Sequence, residues 1–188
     1  MPLLGLGRLS ADRAHRLLAE AGTAEPTYAP VGLLLEPGAA ADADVHEERV
    51  VGRGADDFER AKTCFASLAP QRAVATVWPA EASAEPGGTV LVALPFGPLT
   101  VIAVNRVLDV VDEPRRWAFA YATLPGHAEV GEEAFVVEHR ADDAVVASVI
   151  ATAHVALPGA RFLQPAFAWL PRRFARRYLR TVAEAVHP

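Results

Sequence analysis

The sequence has one cysteine, one lysine and no apolar run near the roughly 20 residues that span a bilayer. Cys64 therefore has no partner for an intramolecular disulfide, and no cysteine cluster exists to hold a metal. It falls in a helical pattern, so it is read as a buried apolar thiol, with a catalytic nucleophile as the alternative. Basic charge is also short. The 18 Lys+Arg face 23 Asp+Glu, a formal net charge of −5, which argues against electrostatic binding of nucleic acid. No Gly-x-Ser-x-Gly nucleophile elbow or Walker-type loop is present, and Gly5-Leu6-Gly7 lacks the strand–turn–helix setting of a phosphate loop. The apolar start, Met1 to Gly7, is too short for a signal-peptide core. The expectation is a cytoplasmic protein without membrane association, cofactor or metal. With Lys62 the only lysine, the arginine and alanine bias looks like that of a GC-rich bacterial genome.

What remains is ordinary globular material: 188 residues, 52% hydrophobic and 22% charged, enough for a single domain with a real core. Ser10 is a suitable N-cap for a helix through Ala14, Leu17, Leu18 and Ala21, stopped at Gly22. Residues 1–22 thus form an N-terminal helical extension to a sheet-and-helix core over 45–186. Thr23 to Ala43 is proline-rich loop around a brief apolar segment, Val31 to Leu35. Val45 to Val51 has strand character. Asp56 with Glu59 then suggests a capping box for a second helix, with Phe58, Ala61, Phe65 and Leu68 on one face and Pro70 after its end. Ala73 to Trp78 is the next expected strand.

From Thr89 onward five strand-like segments follow at short spacing: 89–94, 99–111, 116–123, 132–139 and 144–155. Parallel crossovers need a dozen residues or more, so these strands make an antiparallel meander. The chain ends in helix, with Phe162 to Leu170 as an apolar approach and Phe174, Tyr178, Leu179 and Val182 beyond Pro171, which must kink the helix or begin a second one. The predicted class is α+β, a curved antiparallel sheet of about six or seven strands around a long C-terminal helix. This order matches the helix-grip (START/Bet v 1-like) fold, which often leaves a ligand cavity between sheet and helix.

The densest polar constellation runs from Tyr121 to Phe135. Pro125-Gly126 suits a type II turn, and strand alternation puts Trp117, Phe119, Tyr121 and Thr123 on one face, Ala118, Ala120 and Ala122 on the other. Glu133, Phe135 and Val137 share a face of the next strand, so an inward aromatic face leaves Glu133 and Thr123 at the rim of an apolar interior. His127 beside Glu129, Glu132 and Glu133 has three readings: a general acid/base, part of a metal site, or a structural group while the carboxylates cap loop amides. The spacing is no metal signature, and adjacent Glu132 and Glu133 point to opposite faces.

These residues also carry a resemblance. Thr123-Leu124-Pro125-Gly126-His127 with Gly131-Glu132-Glu133 resembles the hallmark of the DUF1990 family, a domain of unknown function. The resemblance extends to Tyr28 with Val31-Gly32, to Gly52, Gly54, Phe58 and Ala61, and to Arg176-Arg177-Tyr178-Leu179. It implies a shared architecture and no particular activity. Ala122 stands where the family usually has glycine, and Ala153-His154-Val155 where it usually has Ser-Arg-Pro.

Arg172, Arg173, Arg176, Arg177 and Arg180 form a basic face on the terminal helix, either solvated or set against an anion, an acidic partner or a membrane surface. The last strand offers small residues inward, Ala147, Ala151 and Ala153, which admit either a close helix or a ligand. Three functions stay open: a module binding a small hydrophobic ligand through Trp117, Phe119, Tyr121, Thr123, His127, Glu133 and Phe135; a hydrolase or isomerase with His127 or Glu133 as acid/base; and a partner-binding scaffold using the arginine helix.

Overall fold

The computed structural model describes residues 3–155 and 169–187. Its strands are β1 (Leu3–Leu6), β2 (Val45–Arg53), β3 (Thr76–Trp78), β4 (Thr89–Phe96), β5 (Leu99–Glu113), β6 (Arg116–Thr123), β7 (Glu129–His139) and β8 (Ala144–Val155). All pair antiparallel in one sheet ordered β2-β8-β7-β6-β5-β4-β3, with β1 added beside β5. The helices are α1 (Ala11–Ala21), α2 (Gly54–Ala66), α3 (Ala69–Arg72) and α4 (Trp169–Val186). The α+β class and the meander from β4 to β8 are as the sequence predicts. Bulges between Val50 and Gly52 in β2 and between Val107 and Asp109 in β5 add local bend to the sheet.

Local differences from the sequence reading each have a cause. Leu3–Leu6 is a strand because it finds Leu99–Ile102 of β5 as a partner, a non-local pairing that a short apolar segment does not announce. Val31–Leu35 gives a 3-10 turn at Leu33–Leu35, and Ala73–Ala75 precede β3 rather than join it. Pro70 follows the end of α2, as expected, and also sits at the start of a further short helix, α3, where its missing amide hydrogen is harmless. Most of the approach from Phe162 to Leu170 lies outside the described residues, and Pro171 falls in the first described turn of α4.

The start of α2 corrects the expected capping box. The helix begins at Gly54, and Asp57, not Asp56 or Glu59, reaches back: its Oδ2 accepts from the Arg53 amide at 2.8 Å. That amide holds the Asp57 carboxyl below its usual range, with lesser help from His187 and Arg60. Gly52 makes room, since a Cβ there would lie 2.4 Å from Asp57 Oδ2. Asp57→Ala is expected to cost about 1 kcal/mol, the ordinary worth of a helix-start cap, read as a shift in denaturant midpoint. The lowered carboxyl also means that this contribution fades as pH falls through its folded value.

Both faces of the sheet are covered, and side-chain size decides by what. The inward face carries large residues, Phe119, Phe135, Val137 and Val149 among them, packed under Phe58 and Phe65 of α2 and Tyr178, Leu179 and Val182 of α4. Outward Ala118, Ala120 and Ala134 are small, so the Leu34-Leu35 turn lies close against them. Helix α1 covers the far side of β4 and β5 with Ala14 and Ala21 on Leu91, Ile102 and Val104.

Candidate functional site

Antiparallel register sorts the inward side chains into rows across the sheet. Trp117–Val137–Ala147 and Phe119–Phe135–Val149 are apolar; Val107–Tyr121–Glu133–Ala151 and then Asn105–Thr123 are where polarity enters. The apolar rows are filled. Phe119 and Phe135 stack at 4.8 Å between centroids, Phe65 meets Phe135 edge-on at 5.4 Å, and Trp117 lies 5.7 Å from Phe119. Phe119 and Phe135 have no exposed surface. Trp117, Phe119 and Phe135 are therefore core residues that floor the polar rows.

In the third row the Tyr121 hydroxyl donates to Glu133 Oε2 at 2.6 Å. From α3, Gln71 is 0% exposed; its amide faces the Tyr121 hydroxyl, yet neither Nε2 nor Oε1 makes a well-formed hydrogen bond. From α4, Tyr178 sets its ring 5.9 Å from Phe135 and 6.3 Å from Phe174. Burial pushes the Glu133 carboxyl up to about 7, against the Tyr121 hydrogen bond and aided by the charge of Glu129. Burial also raises Glu129. It holds the Tyr121 and Tyr178 phenols well above their usual range, with the Glu133 charge adding to both. No lysine or arginine among the described residues faces this cluster.

His127 does different work from Glu133. Its Nδ1 accepts from the Glu129 amide at 2.9 Å, closing the turn before β7, and burial pushes the imidazole down to about 4. It is thus neutral near neutral pH. Thr123 Oγ1 accepts from the Gly131 amide at 3.0 Å and lies 2.6 Å from Thr27 Oγ1, which ties the rim shut on that side. Gly131 is required by close approach: a Cβ there would stand 2.0 Å from the Thr152 carbonyl oxygen.

Glu132 points to the opposite face, as alternation demands. Its carboxylate accepts from the Tyr28 hydroxyl, the Gly32 amide at 2.8 Å and the Leu34 amide at 2.6 Å. Burial, then the Glu132 hydrogen bond, hold the Tyr28 phenol well above its ordinary range. Tyr28, Val31-Gly32 and the Gly-Glu-Glu of β7 are thus parts of one anchor, which pins the 28–35 segment to the outside of the sheet.

The sequence reading missed Gln71 and Asn105. Both are buried, with amide atoms lacking partners; each lies far in sequence from the Tyr121–Phe135 motif, and only the fold brings them inward. Of two surface clefts, one of about 700 Å³ lies between β2 and the C-terminal half of α4 and one of about 460 Å³ lies along α2, and neither includes Glu133, Tyr121 or Gln71. Of the helix arginines, Arg176 chelates Glu47 at 2.9 and 3.0 Å, Arg172 reaches the Asp44 carbonyl at 2.9 Å, and Arg173 lies over the Trp169 ring. His15, His46, His154 and His187 are exposed, and Cys64 is a buried thiol that burial raises to about 11. Among the described residues no His, Cys, Asp and Glu cluster has metal-holding geometry, and no helix is long and apolar enough to cross a membrane.

A curved antiparallel sheet closed over a long terminal helix, with a polar row buried between them, defines a helix-grip protein of the Bet v 1-like kind. Three solved structures share this fold: a hypothetical protein of Helicobacter pylori (TM-score 0.56, 11% identity, 86% of this chain and 95% of that one), a Thermus thermophilus protein (0.54, 16%, 76% and 95%), and a Thalictrum norcoclaurine synthase point mutant in complex with a transition state analogue (0.51, 14%, 74% and 93%). The chain belongs to the family described as a domain of unknown function, DUF1990, whose profile matches residues 27–181. It is also 36% identical over 176 residues to a UPF0548 protein of Deinococcus radiodurans, covering 85% of this chain and 87% of the relative.

Proposed function

We propose that this protein binds a small, largely apolar ligand between the β6–β7 hairpin and α4, with the ligand's polar group against Tyr121 and Glu133. The observation that carries this reading is the Tyr121–Glu133 pair inside the grip, beside a fully buried Gln71 whose amide is unsatisfied. A core built for stability alone gains nothing from an acid with no compensating cation among the described residues and an amide left without partners, because each carries a desolvation cost. A ligand that completes their hydrogen bonds removes it. The Thalictrum synthase, of the same fold, was solved with a small molecule bound, which supports the architecture as a ligand holder. The basic face of α4 suits a partner surface less, since Arg172 and Arg176 are already engaged.

Gently purified protein is expected to carry a small-molecule adduct in native mass spectrometry, and to take up the neutral probe N-phenylnaphthylamine at one site. Ala151 is the inward neighbour of Glu133 on β8, so the larger side chain of Ala151→Leu would intrude on the proposed site and is expected to weaken the probe at least ~10-fold. Unchanged probe binding in a folded Ala151→Leu variant would sink this location.

A second reading, an enzyme of hydrolase or isomerase type, is favoured by one observation: a carboxyl near 7 is poised to exchange protons at neutral pH. Glu133, not the neutral His127, then serves as acid/base. Turnover found in a substrate screen should show an inflection near the Glu133 value and vanish in Glu133→Gln; activity surviving that substitution rules the role out.

A further inference from the structure

Resting on that reading, we propose that the ligand's head group is a protonated amine, held by Glu133 and Glu129 and walled by the rings of Tyr121, Phe135, Phe174 and Tyr178. The first ground is the balance of hydrogen-bonding atoms. Glu133 Oε2 accepts from Tyr121, while Oε1 and both Glu129 oxygens have no described donor. Gln71 Oε1 and, in the next inward row, Asn105 Oδ1 are buried acceptors without partners; the one unpartnered donor of that pair is Gln71 Nε2. Acceptors are in excess, and an ammonium brings three donors and no acceptor.

The second ground is charge. Among the described residues the elements around Glu133 supply no compensating cation: β6 contributes Tyr121, β7 contributes Glu129, β8 contributes Ala151, α3 contributes Gln71, α4 contributes Tyr178, and the turn contributes a neutral His127. The described arginines nearest in sequence are spent elsewhere, Arg140 on Glu48, Arg116 on the Leu35 carbonyl and Arg115 on the His139 and Arg140 carbonyls. So are Arg106, on the carbonyls ending α1, and Arg172 and Arg176, on the Asp44–Glu47 edge. Two carboxylates that burial raises, one of them raised further by the charge of the other, and that meet no cation among the described residues form a site that a cation relieves. The ring faces supply the third ground. Tyr121 lies 5.4 Å and Tyr178 5.9 Å from Phe135, so aromatic faces border the acids, the setting in which an alkylammonium gains from the ring quadrupoles.

The test uses three probes that share a naphthalene body and differ in head group: naphthylethylamine, naphthylacetic acid and ethylnaphthalene, titrated into the full chain by calorimetry. At about pH 8 the amine is expected to bind at least ~10-fold tighter than the other two. The sign of its pH dependence follows from the acids: the amine stays protonated, while Glu133 takes up a proton on acidification, so affinity should fall about tenfold by about pH 5.5. Glu133→Gln, checked for folding by its melting curve, should erase both the preference and the pH dependence. Acid or hydrocarbon binding as tightly as the amine overturns the amine assignment and leaves the ligand site standing. An amine preference that survives Glu133→Gln also overturns it, because the head group then lies elsewhere. If none of the three binds, the ligand reading itself falls.

Discussion

Glu132→Ala is expected to lower folding stability by about 3 kcal/mol or more, a larger effect than loss of any surface ion pair. The carboxylate is 5% exposed and receives three hydrogen bonds, from the Tyr28 hydroxyl and the Gly32 and Leu34 amides. Alanine leaves a phenol and two backbone donors without an acceptor, at about 1–3 kcal/mol for each that stays buried. The loss has a ceiling, because the 28–35 segment can lift off the sheet and rehydrate once lifting costs less than the orphaned donors. Leu34, Leu35 and the Arg116 bond to the Leu35 carbonyl at 2.7 Å oppose that. Chemical denaturation gives the total, and hydrogen exchange at the Gly32 and Leu34 amides shows whether the segment has detached. A variant within about 0.5 kcal/mol of the parent, with those amides still protected, would mean that Glu132 anchors nothing.

The second large effect depends on pH. Glu133 is pushed from an ordinary 4.5 up to about 7 in the folded protein. A raised carboxyl stabilises the fold fully below its unfolded value and loses that contribution as pH rises through the folded one. Between about pH 4.5 and above about pH 7 the parent should therefore lose about 3 kcal/mol from this group alone, at about 1.4 kcal/mol per unit. Glu129 is raised and acts in the same direction; Asp57 and Glu47 are lowered and His127 is depressed, and all three act oppositely on acidification. Glu133→Gln isolates this contribution, since the other groups titrate in both proteins. The variant should match the parent near pH 4 and exceed it by about 3 kcal/mol near pH 8. A stability difference that stays flat across that range would show that Glu133 is not held away from solvent and charge.

Much of the fold was legible because short-range rules dominate there. The turn signals at Pro125-Gly126 and Asp142-Asp143 leave too little chain for a parallel crossover, which made β6, β7 and β8 antiparallel neighbours. Alternation alone separated Trp117, Phe119 and Tyr121 from Ala118, Ala120 and Ala122, and put Glu132 and Glu133 on opposite faces. The β1–β5 pairing was illegible because four apolar residues carry no mark of a partner as distant in the chain as Leu99–Ile102. The α2 cap was misassigned because Asp56, Asp57 and Glu59 are all plausible by spacing; the space left by Gly52 selects Asp57.

For the candidate site the division runs through single residues. Alternation placed Tyr121, Thr123 and Glu133 on inward faces at the rim, but the pairing of Tyr121 with Glu133 came from the strand register. The neutral, turn-closing state of His127 depends on burial, and no local pattern reports burial of a loop imidazole. Gln71 reaches the cluster only because α3 packs under the sheet, and the absence of a cation beside Glu133 among the described residues is a property of every element around it at once. The sequence by itself determined the strands β4 to β8, their antiparallel order and which side chains share a face, since period and turn length are local. Tertiary structure alone decided which face became a filled aromatic core and which row kept an acid without a cation among the described residues, since burial and charge compensation are sums over residues that are neighbours only in space.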